Sequence, residues 1–361
     1  MKTLLVTLEY PPFKGGVANY YSNLAKYWPI GENITVLDNS KGDLVASKGL
    51  FPWLRSVSTI LKWYKEDNFD HLLVGHILPL GTAAIMAAFV RPFSFSVILH
   101  GLDFSSAISS GRKRFLARLI LRRAQRIICA NSYVADLVRQ FDKKLNDKIA
   151  VVNPGIEPIT PLENCDKLKD LREQYNLEGK FVLFSLGRLV SRKGFDTVIK
   201  ALSGNELRLP NLVYFIAGLG PEEQNLRSLA AASTLNNQIF FLGNITEEEK
   251  WCWLYACDVF ILPTRTIGPD FEGFGIVYLE ANLVGRPVIA GASGGVKDAV
   301  VDNLNGLLVS PEDMTAIRTA IKRLADNSQL RKQLGLNGQI RALEKFKWDK
   351  QAAEVSRFLQ V

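Results

Sequence analysis

The chain has 361 residues, 47% hydrophobic and 22% charged, which is the balance of a soluble globular protein without low-complexity segments and too long for one ordinary core. Its net charge of +8 is uneven: residues 1–155 hold 20 Lys and Arg against 11 Asp and Glu, and residues 156–361 hold 24 against 25. A basic first half points to an anionic partner, either membrane or nucleic acid.

The opening "MKTLLVTLEYPP" breaks too early, at Glu9 and two prolines, to read as a secretory signal. It reads instead as a buried strand, followed by the turn "PPFKGG" and a helix pattern from Val17 to Tyr27. Apolar runs then recur as "ITVLD", "HLLVG", "FSVILHG", "RIICANS" and "KIAVVNPG", with helical patterns between most of them. The longest uncharged run, Leu72 to Val90, is broken by Gly75, His76, Pro79 and Gly81, so strand, turn and helix fit better than a membrane span. A charged segment containing prolines near 158–172 interrupts the alternation, which restarts at "FVLFSLGRL" and continues through "LVYFIAGLG", "QIFFLGN", "DVFILPT", "RPVIAG" and "GLLV". Strands alternating with helices imply parallel sheets covered on both faces. The expected fold is α/β, with two doubly wound domains over 1–160 and 172–340 whose strand carboxyl ends can face a cleft, and a C-terminal helix in 341–361 packing back on the first domain. Cys129, Cys165, Cys252 and Cys257 lack metal-ligand spacing and read mostly as buried thiols of a reducing compartment, so the expected location is cytoplasmic.

Residues of chemical interest fall at strand ends. In "DFEGFGIVYLEA", Glu272 and Glu280 stand eight positions apart, about 12 Å and about 80° around if helical. A carboxylate pair working on one glycosidic bond needs roughly 5–9.5 Å. The two therefore suit different parts of one long ligand. In "SLGRLVSRKGFD", Arg188 and Lys193 lie between strand and helix, as either a solvated turn or partners for phosphate oxygens. His100 ends the strand of "VILHGLD", with Gly101 and Asp103 beyond it, and is either a structural histidine or a site residue. Gly15 and Gly16 leave backbone amides open to an anion. Thr246 and Glu249 form a capping box, which leaves Glu247 as a carboxylate without a capping role. Along "GRKRFLARLILRRAQR", Arg114, Arg118, Arg122 and Arg126 recur at i+4, as a solvated face or a foot on anionic lipid. No aromatic residues interleave with them, which disfavours nucleic acid.

Taken together, "FKGGVANY", "VILHGLD", "VVNPGIE", "SLGRLVSRKGFD", "FIAGLGPE", "EGFGIVYLEA" and "GRPVIAG" resemble the retaining glycosyltransferases of family 4, which have the two-domain GT-B fold. The wording "RTIGPDFEGFGIVYLEA" is most similar to bacterial mannosyltransferases that use GDP-mannose on phosphatidylinositol-type lipids. The resemblance implies that Glu280 holds the ribose of a nucleotide-sugar, and that Glu272 with the amides of Gly273, Phe274, Gly275 and Ile276 holds the transferred sugar. Arg188 and Lys193 would neutralise the departing diphosphate, His100 would touch the sugar from the first domain, and Gly16 would lie near the phosphates or acceptor. Asp103, Arg114, Arg118 and Arg122 are expected on the acceptor or membrane side. No Asp-x-Asp pair occurs, so no metal or other cofactor is expected. Retention would then proceed by attack on the face that the diphosphate leaves, a phosphate oxygen taking the acceptor's proton. The expected partners are a nucleotide-sugar donor, a lipid or glycan acceptor and an anionic membrane. A UDP-hexose transferase acting on a soluble or polysaccharide acceptor, a nucleotide-sugar 2-epimerase and a non-catalytic binding module remain alternatives.

Overall fold

A computed structural model describes residues 1–13, 15–45, 53–158, 166–203 and 209–360; Cys165 and part of the expected joint lie outside them. The chain divides into two compact units, Met1–Gly155 with Phe346–Val361, and Ile156–Lys345.

The strands of the first unit are β1 (Lys2–Val6), β2 (Asn33–Leu37), β3 (His71–Val74), β4 (Ser94–Leu99), β5 (Ile127–Cys129) and β6 (Ile149–Val151). Its helices are α1 (Gly16–Lys26), α2 (Leu54–Asp67), α3 (Leu80–Val90), α4 (Leu102–Ala107), α5 (Gly111–Arg123) and α6 (Ser132–Phe141). The sheet is parallel throughout, in the order β2-β1-β3-β4-β5-β6, with Leu5 opposite both Val36 and Leu73. Chain order reverses at β1, so β1 and β3 flank the switch point, where such sheets open a crevice at their carboxyl ends. Glu9 and His76 follow these two strands.

The second unit starts with α7 (Asp166–Gln174), a helix inside the expected joint that forms because Leu168 and Leu171 are buried. There follow β7 (Phe181–Leu186), α8 (Phe195–Leu202), β8 (Leu212–Ala217), α9 (Glu223–Ala231), β9 (Ile239–Gly243), α10 (Glu247–Ala256) and β10 (Val259–Leu262). The unit closes with α11 (Ile276–Leu283), β11 (Val288–Gly291), α12 (Val296–Ala299), β12 (Gly306–Val309), α13 (Met314–Asp326) and α14 (Ser328–Lys345). This sheet is also parallel, in the order β12-β11-β10-β7-β8-β9, with its switch point between β7 and β10. Strands β8, β10 and β11 are buried at every position, as near-continuous apolar runs require when helices cover both faces.

The chain then returns to the first unit as α15 (Trp348–Gln360). Trp348, Ala352, Val355 and Leu359 recur at helical spacing and join Tyr20, Tyr21 and Leu24 in its core. Burying each large apolar side chain contributes about 1.5–3 kcal/mol. Gly155 makes room for this helix: a Cβ there would come 2.6 Å from the Trp348 ring. Cys129, Cys252 and Cys257 are buried thiols. Among the described residues, no helix is long and apolar enough to cross a membrane.

Candidate active site

In the second unit the site forms at the switch point. Past β7 the chain turns through Gly187 and Arg188, and a short turn at Ser191–Lys193 leads into α8. Lys193 is buried, and its Nζ donates to Glu272 Oε2 at 2.7 Å. Arg192 Nη1 donates to the same oxygen at 2.7 Å, while its Nε lies 3.0 Å from Asp270 Oδ1. Burial would raise the Glu272 carboxyl, but the Lys193 ammonium and the Arg192 guanidinium outweigh it and hold the group below its ordinary value. Glu272 is thus an ionised, doubly clamped carboxylate. Arg188 is exposed.

The backbone around Glu272 is fixed as tightly as the side chain. Its carbonyl accepts from Gly295 N at 2.9 Å, and a Cβ on Gly294, at φ +54°, would meet that carbonyl at 2.5 Å. Gly275 caps α11 in the left-handed region at φ +80°, where a Cβ would strike the buried Tyr278 ring at 2.4 Å. The turn Gly273–Phe274–Gly275 therefore brings bare backbone to the N-terminus of α11, whose free amides favour an anion. Phe274 is buried and Ile276 is the first helical residue.

Glu280, on the second turn of α11, has separate partners. Lys250 of α10 donates to Glu280 Oε1 at 2.7 Å and pairs with Glu247 Oε1 at 2.5 Å. Burial raises the Glu280 carboxyl, and Lys250 offsets only part of that. Lys250 itself is raised, because Glu280 and Glu247 together outweigh the opposing effect of burial. Trp251 Nε1 donates to Glu247 at 3.1 Å, so Glu247 is held beside Glu280 although it is exposed. The capping box of Thr246 and Glu249 is present as read. Arg192 and Lys250 were missed by sequence reasoning; their signals were adjacency to Lys193 and i+3 spacing from Glu247.

In the first unit, the carboxyl ends of the strands carry a neutral aromatic cluster. His100 follows β4, and its ring lies edge-on to Tyr20 and Tyr21 at centroid distances of 4.8 and 5.2 Å. His100 Nε2 is 2.8 Å from Tyr21 Oη. Burial, helped by nearby His76, pushes the imidazole down to about 3. Asp103, expected on the acceptor side, turns one oxygen onto the backbone, accepting from His100 N at 3.0 Å and Gly101 N at 2.8 Å. It thereby fixes the Gly101 turn, at φ 126°, that ends β4. Gly16 opens α1, and nothing lies within 4 Å of where its Cβ would be.

The arginine stripe differs from its expectation. Helix α5 ends at Arg123, and Gln125 N already pairs with Phe95 O, so the backbone joins the sheet and Arg126 leaves the i+4 series. Arg114 and Arg118 stack over Phe141, at 5.3 and 4.8 Å. Arg122 donates to Asp142 at 2.7 Å, with Arg118 at 3.6 Å from the same oxygen. These three side chains clamp α5 onto the end of α6. Phe115 and Leu119 are exposed on the same helix, as are Arg114 and Arg122.

Two parallel doubly wound sheets, one with paired charges at its switch point, have the architecture of the two-domain GT-B type. Family profiles agree: "Glycosyltransferase Family 4" matches residues 14–159 and "Glycosyl transferases group 1" matches 167–341, together most of the chain. The chain belongs to this family of glycosyltransferases. A GDP-mannose-dependent alpha-(1-6)-phosphatidylinositol monomannoside mannosyltransferase of Mycolicibacterium smegmatis is 28% identical over 377 residues, covering 99% of this chain and 97% of its own. A mannosyltransferase of Corynebacterium glutamicum that uses GDP-mannose on the monoacylated phosphatidylinositol monomannoside is 27% identical, covering 99% and 98%. Among solved structures, Anabaena HepE in complex with UDP superposes with a TM-score of 0.80 at 20% identity over 100% of both chains. Sucrose-phosphate synthase from Thermosynechococcus elongatus gives 0.76 at 20% identity, covering 99% and 98%. Both share the fold.

Proposed function

We propose that this protein is a retaining mannosyltransferase that moves mannose from GDP-mannose to a lipid or lipid-linked glycan at an anionic membrane. The observation that carries the reading is the pair of separately clamped carboxylates, Glu272 with Arg192 and Lys193, and Glu280 with Lys250. Arg188, Lys193 and the α11 N-terminus suit a diphosphate, Glu280 suits ribose hydroxyls, and Glu272 suits the hydroxyls of the hexose. Glu247, tethered beside Glu280 through Lys250, can accept from both N1 and N2 of guanine, whereas uracil offers a single ring N–H. Cations already in the chain neutralise the leaving diphosphate, and its oxygen takes the acceptor's proton on the face being vacated. His100, a neutral imidazole, suits a hydroxyl of the transferred sugar.

The proposed membrane contact takes in apolar side chains beside the Arg114–Arg118–Arg122 stripe. Phe89 and Val90 at the end of α3, with Phe115 and Leu119 on α5, are exposed apolar side chains. The exposed Arg91, Arg112, Lys113 and Arg123 lie in the same two segments, and Arg123 stacks 5.2 Å over Phe89. Apolar side chains rimmed by cations fit an anionic lipid surface, where each basic residue adds about 1 kcal/mol.

A thermal-shift series with GDP, UDP and ADP tests the donor. GDP at 100 times its dissociation constant should add about 2.7 kcal/mol of stability. A shift with UDP alone would instead favour the UDP-hexose transferase. Transfer should persist in excess EDTA. Changing Phe89 and Phe115 to Ser should lower co-sedimentation with anionic vesicles; equal sedimentation would remove the membrane contact from the reading.

A further inference from the structure

The hydrogen bonds around Tyr21 determine where the proton of His100 must sit. Tyr21 Oη lies 2.5 Å from the Gly75 carbonyl oxygen. Two oxygens that close need a proton between them, and only the phenol has one to give. With its hydrogen committed to Gly75, Tyr21 Oη can only accept from its second neighbour, His100 Nε2, at 2.8 Å. Tyr21 is 0% exposed, so no bulk water competes for either bond. Gly75 gives this ring room to sit against its backbone, since a Cβ there would come 2.8 Å from Tyr21. The imidazole is bracketed edge-on by Tyr20 and Tyr21, which opposes a ring flip.

We propose that Tyr21 is a positioning residue that fixes His100 as the Nε2–H tautomer, leaving Nδ1 to accept a hydrogen bond from a hydroxyl of the transferred sugar. The assignment rests on the donor reading above for the identity of the sugar, but the tautomer follows from the first unit alone. Nδ1 forms no hydrogen bond among the described residues, and burial keeps the ring neutral near pH 7. A neutral acceptor aimed at a hydroxyl selects sugars that carry it, since a deoxy sugar leaves a desolvated lone pair without a donor. Tyr21 thus tunes sugar choice without touching the sugar.

The test is imidazole nitrogen NMR on protein labelled with 15N-histidine. The chain has only 3 histidines, and His100→Gln assigns the third by its loss. At pH 7 the wild type should show Nε2 protonated and Nδ1 bare, and Tyr21→Phe should introduce a population protonated at Nδ1. A wild-type signal protonated at Nδ1 overturns the proposal, as does a tautomer ratio unchanged in Tyr21→Phe. If Tyr21→Phe fails to fold, the wild-type spectrum still decides the tautomer. The second arm compares kcat/KM for GDP-mannose and its singly deoxygenated analogues. Tyr21→Phe should lose roughly tenfold with GDP-mannose and far less with one deoxy analogue, because one neutral hydrogen bond is at stake. An equal loss on every donor overturns the role in sugar choice. The spectroscopic arm needs no donor, so it stands or falls separately from the donor reading.

Discussion

The carboxyl edges of the two sheets are built from opposite chemistry. In the second unit, acidic side chains are held by basic ones: Glu272 by Arg192 and Lys193, and Glu280 and Glu247 by Lys250. In the first, His100 is neutral and is held by a phenol and two aromatic edges. The difference teaches what each edge can bind. Full charges set against one another suit a ligand that carries charge and sheds it, as a diphosphate does. A neutral, desolvated acceptor suits hydroxyls, where a full charge would bind water as strongly as sugar.

The sharpest way to break this comparison is to remove charge from one edge and a polar contact from the other. Lys193→Ala should lower kcat by roughly 10²–10³, the cost of deleting one preorganised electrostatic contact to a leaving group. His100→Gln should cost nearer tenfold. Steady-state kinetics on both variants decide it, and equal losses would erase the distinction between the edges.

Within the second unit the comparison sharpens further. On the proposed roles, Glu272→Gln should act mainly on turnover, because a sugar held there would gain oxocarbenium character in the transition state. Glu280→Gln should act mainly on donor affinity, by roughly tenfold, because a ribose contact changes little along the reaction. If both variants showed the same split between kcat and donor KM, the two clamps would have one role between them.

The smallest effect is on stability against pH, which falls toward acid for both edges but in different windows. His100 is lowered in the folded state, so below about 6.5 the unfolded chain takes up a proton that the folded chain refuses. Stability is therefore full above that value and falls as pH drops toward 3, a fall that His100→Gln should lessen. Buried His71, lowered to about 4, acts in the same direction. Glu272 is lowered from the carboxylate range, so its contribution is present above about 4.3 and is lost only at more acid pH. Glu272→Gln should leave the profile between pH 6.5 and 5 unchanged. Thermal midpoints across pH 8 to 3 measure both slopes.

Much of this was legible in the residues themselves. Apolar runs and their spacing carried the two parallel sheets, since a strand covered on both faces must be apolar throughout. Glu272 and Glu280 were visible because a Gly-Phe-Gly turn beside carboxylates has few structural reasons to exist. What stayed hidden were the partners, because pairing depends on which segments the sheet brings together. Arg192 meets Glu272 across 80 positions, Lys250 meets Glu280 across 30, and Tyr21 meets His100 across 79. The i+4 arginines of α5 looked free for the same reason: Asp142 lies on the segment after the next strand, and no local pattern announces it. Arg126 was lost from that series because pairing with β4 won over helical continuation.

The chain enters the first unit, leaves it at Gly155 and comes home at Phe346, so the second unit is an insertion within the first. The homecoming helix places Trp348 5.3 Å from Tyr20, the ring that flanks His100. A fragment cut at Gly155 would keep every strand of the first sheet yet uncover Tyr20, Leu24 and Trp28, and it would lose the packing behind the histidine. To be studied in isolation, the first unit must be rejoined to residues 346–361 by a designed linker. The carboxyl edge of the amino-terminal half is thus completed only after the whole second unit has been synthesised.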